Sequence, residues 1–155
     1  MTTDIAVAGY RPEDLDAVVD IFQRAVREIA GRDYPPAHVA AWSAVDRAEW
    51  AGWRLTRPAW VARVGGSPAG FADLEPDGHL DMMFVHPGFQ GMGVATALLA
   101  AVEAQARRQR SGLIYAEVSI TAQPFFRRRG FRPVRPDPVV IDELTFERML
   151  MEKTP

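Results

Sequence analysis

The sequence predicts an α/β fold built on a mixed sheet, and three observations carry that reading. Short runs rich in β-branched and aromatic residues alternate with two long apolar-periodic segments. Three of those runs lie between residues 59 and 85, separated only by "GGSP" and "PDG", turns short enough to favour antiparallel hairpins. A strand candidate, a helical pattern and another strand candidate then follow in series. As a right-handed crossover, they place strands 79–85 and 113–119 parallel.

Each element has its own signal. "IAVAGY" (5–10) reads as a first strand. In "RPEDLDAVVDIFQRAVREIAG", Pro12 suits a first helical turn, Glu13 and Asp14 favour its positive end, and Gly31 can stop it. Leu15, Val18, Val19, Phe22, Val26 and Ile29 form one stripe of that helix. Residues 36–56 predict one or two further helices, rich in Trp42, Trp50 and Trp53. Strands follow at 59–64, 69–75 and 79–85, then a helix over 94–110 with Ala95, Leu98, Leu99, Val102 and Ala106 on one face. Arg107, Arg108 and Arg110 suit its negative end. The chain closes with a strand at 113–119, a short helix at 122–130 stopped by Gly130, a strand in "FRPVRP" and a last strand over 143–152.

A length of 155 residues suggests one domain spanning 1–155, large enough to bury a core. With 48% hydrophobic and 25% charged residues, the composition is that of a soluble globular protein. No apolar run of about 18 residues and no basic-then-apolar leader is visible, so the expectation is a cytoplasmic protein with no membrane partner. Cys is absent, which removes disulfides, thiolate chemistry and cysteine-ligated metals. His38, His79 and His86 lack metal-site spacing, so no metal is expected. A net charge of −2 argues against nucleic acid as the main partner.

The stretch Gln90-Gly91-Met92-Gly93-Val94-Ala95 is the chemical signal. Glycines let backbone N–H groups turn inward, and the helix behind them adds roughly half a positive charge, so the pair can hold a diphosphate. A P-loop needs Gly-Lys-Ser/Thr, and the segment has no Lys. A dinucleotide fingerprint needs a third glycine where Thr96 stands, a direct strand-to-glycine turn, and more βα units than the remaining chain provides. A plain strand-to-helix loop without a ligand stays open on the glycines alone.

Gln90-x-x-Gly93-x-Ala95 resembles the Gln/Arg-x-x-Gly-x-Gly/Ala motif of the GNAT superfamily of acetyl-CoA-dependent N-acetyltransferases. "FVHPGFQGMGVATALL", "EVSITAQPFFRRRGF" and "YRPEDLDAVVDIFQRAV" are similar to that family's loop-helix, late strand-helix and opening segments, in the right order. The resemblance implies a GNAT-like, mostly antiparallel sheet flanked by helices, with strands 79–85 and 113–119 as a splayed parallel pair. It implies that acetyl-CoA is the cosubstrate and an amine the acceptor, and it leaves a homodimer open. Backbone N–H groups of Gln90, Gly91, Met92, Gly93, Val94 and Ala95 would hold the diphosphate, with Thr96 offering a hydroxyl. Backbone at Met83, Phe84 and Val85 would bind pantetheine, Ser119 would contact its arm, and Phe125 and Phe126 would line the thioester end. Core packing is the competing reading for both Phe, as a solvated helix end is for Arg127, Arg128 and Arg129.

Phe126 departs from the family, many members of which carry there a Tyr that protonates the leaving thiolate. Expelling a thiol of pKa near 8.5 as thiolate at pH 7 is uphill by only about 2 kcal/mol, whereas deprotonating a Lys-like amine costs roughly 4–5 kcal/mol. A base therefore matters more than an acid, and the acid falls to water, Ser119, Thr121 or another tyrosine. Asp81, in the otherwise apolar "LDMMFV", and Glu117, on the parallel neighbour, are the base candidates, with burial expected to raise the Asp81 pKa. Each could equally be a structural hydrogen-bond acceptor. His79 reads as a solvent-exposed turn residue on the same strand face as Asp81. Two further hypotheses stand behind the acetyltransferase: a non-catalytic CoA-binding module and a nicotinamide-binding oxidoreductase.

Overall fold

The structure, a computed structural model, describes residues 4–155. Strand β1 (Ile5–Gly9) leads through a 3-10 turn at Pro12–Asp14 into helix α1 (Leu15–Glu28). Asp14 seats this entry: Oδ2 accepts the Arg11 N–H at 3.0 Å and Oδ1 accepts from Arg63 Nη2 at 2.7 Å, so the buried carboxylate is paired on both oxygens. The 36–56 region forms two helices, α2 (Pro36–Trp42) and α3 (Arg47–Leu55). Asp46 separates them by capping α3 through the N–H groups of Ala48 and Glu49.

Strands β2 (Ala59–Val64), β3 (Ser67–Asp73) and β4 (Met83–Val85) join β1 in an antiparallel sheet of order β1-β2-β3-β4. After helix α4 (Val94–Arg108) come β5 (Ile114–Ser119), α5 (Gln123–Arg128), β6 (Arg132–Pro136), β7 (Val139–Ile141), β8 (Leu144–Phe146) and β9 (Arg148–Lys153). They give a second antiparallel sheet, β5-β9-β6, and a β7–β8 hairpin.

Helices cover both faces of the first sheet, as the two apolar stripes require. On one side Val18, Val19, Phe22 and Val26 of α1 bury against Val61, Phe71 and Trp50. On the other, Leu98, Leu99, Val102 and Ala106 of α4 bury against Ala62, Ala69, Ala72 and the inward residues of β5, Ile114, Ala116 and Val118. Gly70 makes the second contact close: a Cβ there would stand 2.8 Å from Val94 Cγ1 and 3.0 Å from Leu98 Cδ1.

The structure differs from the sequence reading in three places. Strand 79–85 contracts to Met83–Val85, because residues 74–82 form a wide loop tied to the end of β3. Asp73 makes that tie twice, its N–H donating to Met82 O at 3.0 Å and its Oδ1 accepting the Met82 N–H at 2.9 Å. Parallel contact between segments 79–85 and 113–119 is accordingly confined to one bridge, His79 with Tyr115. Its bonds run from Leu80 N to Tyr115 O (2.9 Å) and from Tyr115 N to Gly78 O (3.1 Å). Beyond it β4 and β5 belong to different sheets. Finally, the last strand is two, β8 and β9, and β7 is an additional strand paired with β8. The β7–β8 turn places Asp142 (φ 49°) and Glu143 (φ 66°) in the left-handed region, a conformation that Asp-Glu signals far less strongly than Asn-Gly.

Candidate active site

Where β4 and β5 part, a cavity of about 540 Å³ runs between the sheets. At one end stands the glycine loop. His86 leaves β4 into a short 3-10 turn, Pro87–Phe89, and the Gln90 side chain ties back to Val85 O at 3.1 Å. Gly91 (φ 74°) and Gly93 (φ 91°) occupy left-handed conformations that other residues rarely adopt. Gly93 is the N-cap of α4 and, among the described residues, no side chain caps that helix, so its first-turn N–H groups lack the usual side-chain partner. A Cβ on Gly91 would meet nothing within 4 Å, so the loop is open toward solvent. Backbone donors, an uncapped positive helix end and a free approach form a donor set suited to a diphosphate.

Thr96 lies on the first turn of α4, and Arg129 crosses from the end of α5 to donate to its Oγ1 through Nη2 at 2.8 Å. Of the arginine run, Arg128 and Arg129 line the cavity and Arg127 does not. Gln90, Gly91, Gly93, Val94, Ala95 and Thr96 line it as well. Met92 is absent from the wall and its side chain is exposed.

Further in, the walls are Met83, Phe84 and Val85 on one strand and Ala116 to Ser119 on the other. Phe125 is half-buried at the wall with the Arg129 guanidinium 5.2 Å from its ring centroid. Phe126 is buried, packs edge-on against Phe131 at 5.0 Å and also touches the cavity. The wall on the α1–α2 side is built by Ala25, Ile29, Ala30 and Trp42. Nothing local in the sequence marks the three α1-side residues as wall rather than core.

The three catalytic candidates, Asp81, Glu117 and Ser119, all line the cavity. Asp81 is nonetheless exposed rather than buried, since it sits on the wide loop instead of inside a strand, and Arg57 Nη1 stands 3.0 Å from its Oδ2. The burial expected for it from its apolar neighbours in sequence is not found. Ser119 Oγ accepts the Ala122 N–H at 3.3 Å.

His79 is not a solvent-exposed turn residue. Its side chain is 17% exposed, and each ring nitrogen meets a carboxylate: Nε2 to Glu117 Oε2 at 2.6 Å and Nδ1 to Glu75 Oε1 at 2.9 Å. The ring stacks on Tyr115 with centroids 4.9 Å apart. The Glu117 hydrogen bond, reinforced by Glu75, pushes the His79 pKa up to about 9 against the opposing cost of burial. The same bond holds the Glu117 carboxyl below its usual range. Arg57 Nη1 completes the cluster, 3.2 Å from Glu75 Oε1. Glu75, His79 and Asp81 bring ligand atoms within 4.8 Å of one another, but Arg57 and a protonated His79 already supply the positive charge there.

None of the 3 tyrosines lines the cavity. Tyr34 Oη donates to Glu147 O at 3.1 Å and accepts the Ile120 N–H at 3.0 Å. Tyr115 Oη donates to Asp77 at 2.5 Å, and that bond pushes its pKa up to about 12. Thr121 Oγ1, which does line the wall, donates to Asp33 at 2.6 Å.

A family model described as "Acetyltransferase (GNAT) domain" matches residues 32–153. The uncharacterized N-acetyltransferase YafP of Escherichia coli (strain K12) is 32% identical over 152 residues, 98% of this chain and 97% of its own. A GCN5-related N-acetyltransferase structure from Rhodopseudomonas palustris superimposes with a TM-score of 0.94 at 30% identity, covering 100% of this chain and 99% of that one. The PaiA N-acetyltransferase from Thermoplasma acidophilum, solved with coenzyme A, shares the fold at a TM-score of 0.83 and 14% identity, covering 98% and 99%. The chain belongs to the GNAT acetyltransferase family, and its fold is the family's mixed α/β arrangement. It is an acyltransferase.

Proposed function

We propose that residues 1–155 act as one N-acetyltransferase domain that moves the acetyl group of acetyl-CoA to a primary amine by direct attack. Acetyl-CoA supplies an activated acyl thioester; the chain's own residues bind, orient and manage protons. The observation carrying this reading is a single cavity joining the uncapped glycine loop at one end to Asp81 and Glu117 at the other. Gly91, Gly93 and the first N–H groups of α4 hold the diphosphate, and Arg129 adds charge at Thr96. The Met83–Val85 edge, which pairs with no further strand among the described residues, offers backbone groups along the gap, with Phe125 and Phe126 excluding water opposite.

Ser119 sits on the wall between the loop and the carboxylates, where it contacts the pantetheine arm. Glu117 and Asp81 receive the acceptor ammonium and its proton. With no Cys in the chain, an acyl-cysteine route is closed and the amine attacks the thioester directly. No tyrosine reaches the cavity, so the leaving thiolate takes its proton from water or the Ser119 hydroxyl, an uphill demand of only about 2 kcal/mol at pH 7.

Thermal unfolding with acetyl-CoA tests the binding half. Millimolar acetyl-CoA raises the Tm, and Gly93→Val removes the rise. An unshifted Tm in folded protein sinks the reading. Release of CoA with a panel of primary amines, followed against pH in Asp81→Asn and Glu117→Gln, tests the proton half. If both variants keep the parent profile, the base lies elsewhere.

A further inference from the structure

Glu117 faces the cavity, yet one of its oxygens is already committed behind the wall. His79 lies on the loop that precedes β4 and is held from two sides, by Glu117 of β5 and by Glu75 of the loop after β3. Its backbone N–H donates to Asp77 at 3.1 Å, and its ring is stacked on Tyr115. Arg57, which precedes β2, pins both Glu75 (3.2 Å) and Asp81 (3.0 Å). Those six residues are the charged and titratable groups around the imidazole. They leave it one geometry, in which its Nε2 can exchange a proton with Glu117 and nothing else.

Resting on the acetyl-transfer reading above, we propose that His79 is the positioning residue and proton reservoir of the reaction: Glu117 takes a proton from the acceptor ammonium at the cavity wall and shares it across the 2.6 Å Oε2–Nε2 bond. Acetylation of an ammonium releases two protons. One goes to the departing sulfur, forming the thiol, and the other breaks from nitrogen and forms its new bond on Glu117. The pair accepts it in the state with no proton between Oε2 and Nε2, and returns it to water after product leaves.

A lone carboxylate with a depressed pKa is a poor match for an amine of pKa about 10.4. Brønsted matching favours a base nearer the amine, and the raised affinity of His79, about 9, brings the pair close. Glu75 holds Nδ1–H throughout, so the ring neither rotates nor loses its second proton. Asp81 remains beside Arg57 and serves to attract the ammonium.

Two measurements on the full chain test this. In NMR titration, His79 should titrate with a midpoint near 9, falling by at least about one unit in Glu117→Gln. A midpoint at the ordinary histidine value, or one unmoved in Glu117→Gln, overturns the proposal whatever the turnover. In kinetics, kcat at saturating spermidine, tryptamine or a lysine tripeptide should rise with pH and bend near 9. His79→Gln, which retains a donor toward Glu117, should lower kcat by about 10- to 100-fold and remove the bend. The KM for acetyl-CoA and its thermal shift should stay unchanged. A His79→Gln profile that keeps the bend overturns the role of His79 while leaving acetyl transfer standing. Failure of the parent protein to acetylate any probe, with acetyl-CoA binding intact, overturns the proposed function and this role together.

Discussion

Arg54 and Asp73 face each other inside the protein, with both side chains fully buried and Nη1 3.4 Å from Oδ2. The guanidinium lies over Trp50 at 4.7 Å and Phe71 at 5.4 Å, and Asp73 Oδ1 holds the Met82 N–H that shapes the wide loop before β4. Burial pushes the Asp73 carboxyl up to about 6, against the pull of Arg54, so at neutral pH the ionised pair persists. Removing one partner strands a charge. Asp73→Ala should cost about 3–5 kcal/mol in urea unfolding. Asp73→Asn keeps an oxygen for Met82 and should cost about 1–2 kcal/mol less. Equal losses for the two variants would show that the Met82 bond contributes nothing.

Stability should also report the Glu117–His79 pair. His79 is raised in the fold from 6.5 to about 9, so its contribution is complete below about pH 6.5 and lost as pH climbs through about 9. Glu117 is lowered, so its contribution is present above about pH 4.5 and lost as pH falls through its folded value. The pair's contribution, read as the difference in Tm between the parent and His79→Gln, should therefore plateau between about pH 5 and 6.5 and fall toward about pH 9.5, a loss on the order of 3 kcal/mol. A difference that keeps its size over the alkaline range would place the titrating group elsewhere.

Gly78 closes the only bridge between the two strand segments. It has φ of 98°, and a Cβ would press against the Leu113 carbonyl. Gly65 also has positive φ (56°), but a Cβ there meets open space. Gly65→Ala should cost about 1–2 kcal/mol for the backbone conformation alone. Gly78→Ala should cost at least about 2 kcal/mol more, by equilibrium unfolding, because backbone must move. Similar costs would mean that the bridge yields without penalty.

Arg129 and Arg127 offer a matched pair for cofactor binding, since the first lines the cavity beside Thr96 and the second does not. Calorimetric titration with acetyl-CoA should find Arg129→Ala weaker by about 10-fold, the size of one lost charge-assisted hydrogen bond, with a shallower salt dependence. Arg127→Ala should bind as the parent does. Equal effects would assign the arginine run to general electrostatics.

Much of the molecule was legible locally. The α1 and α4 stripes lie where their periodicity puts them, because burying one face of a helix requires apolar residues at 3.6-residue spacing. Strand β2 has its predicted limits, 59–64, bounded by turn residues on both sides. The glycine loop was visible because left-handed backbone and close approach select for glycine. What escaped were features decided by pairing: the β7–β8 hairpin with its Asp142-Glu143 turn, and the short length of β4, set by Asp73 binding Met82 across the chain.

By itself the sequence determined the helical faces, the glycine loop ahead of α4, the exclusion of cysteine chemistry, and the family resemblance that the matches over 32–153 and over 98% of the chain uphold. Only the tertiary structure decided that His79 is trapped between Glu75 and Glu117, that Asp81 stands exposed beside Arg57, and that Arg129 rather than Arg127 reaches Thr96. The reason is physical. Hydrophobic periodicity and backbone conformation act over a few residues, whereas the charge around a side chain depends on partners 4 to 38 positions away, brought together only when the sheets meet.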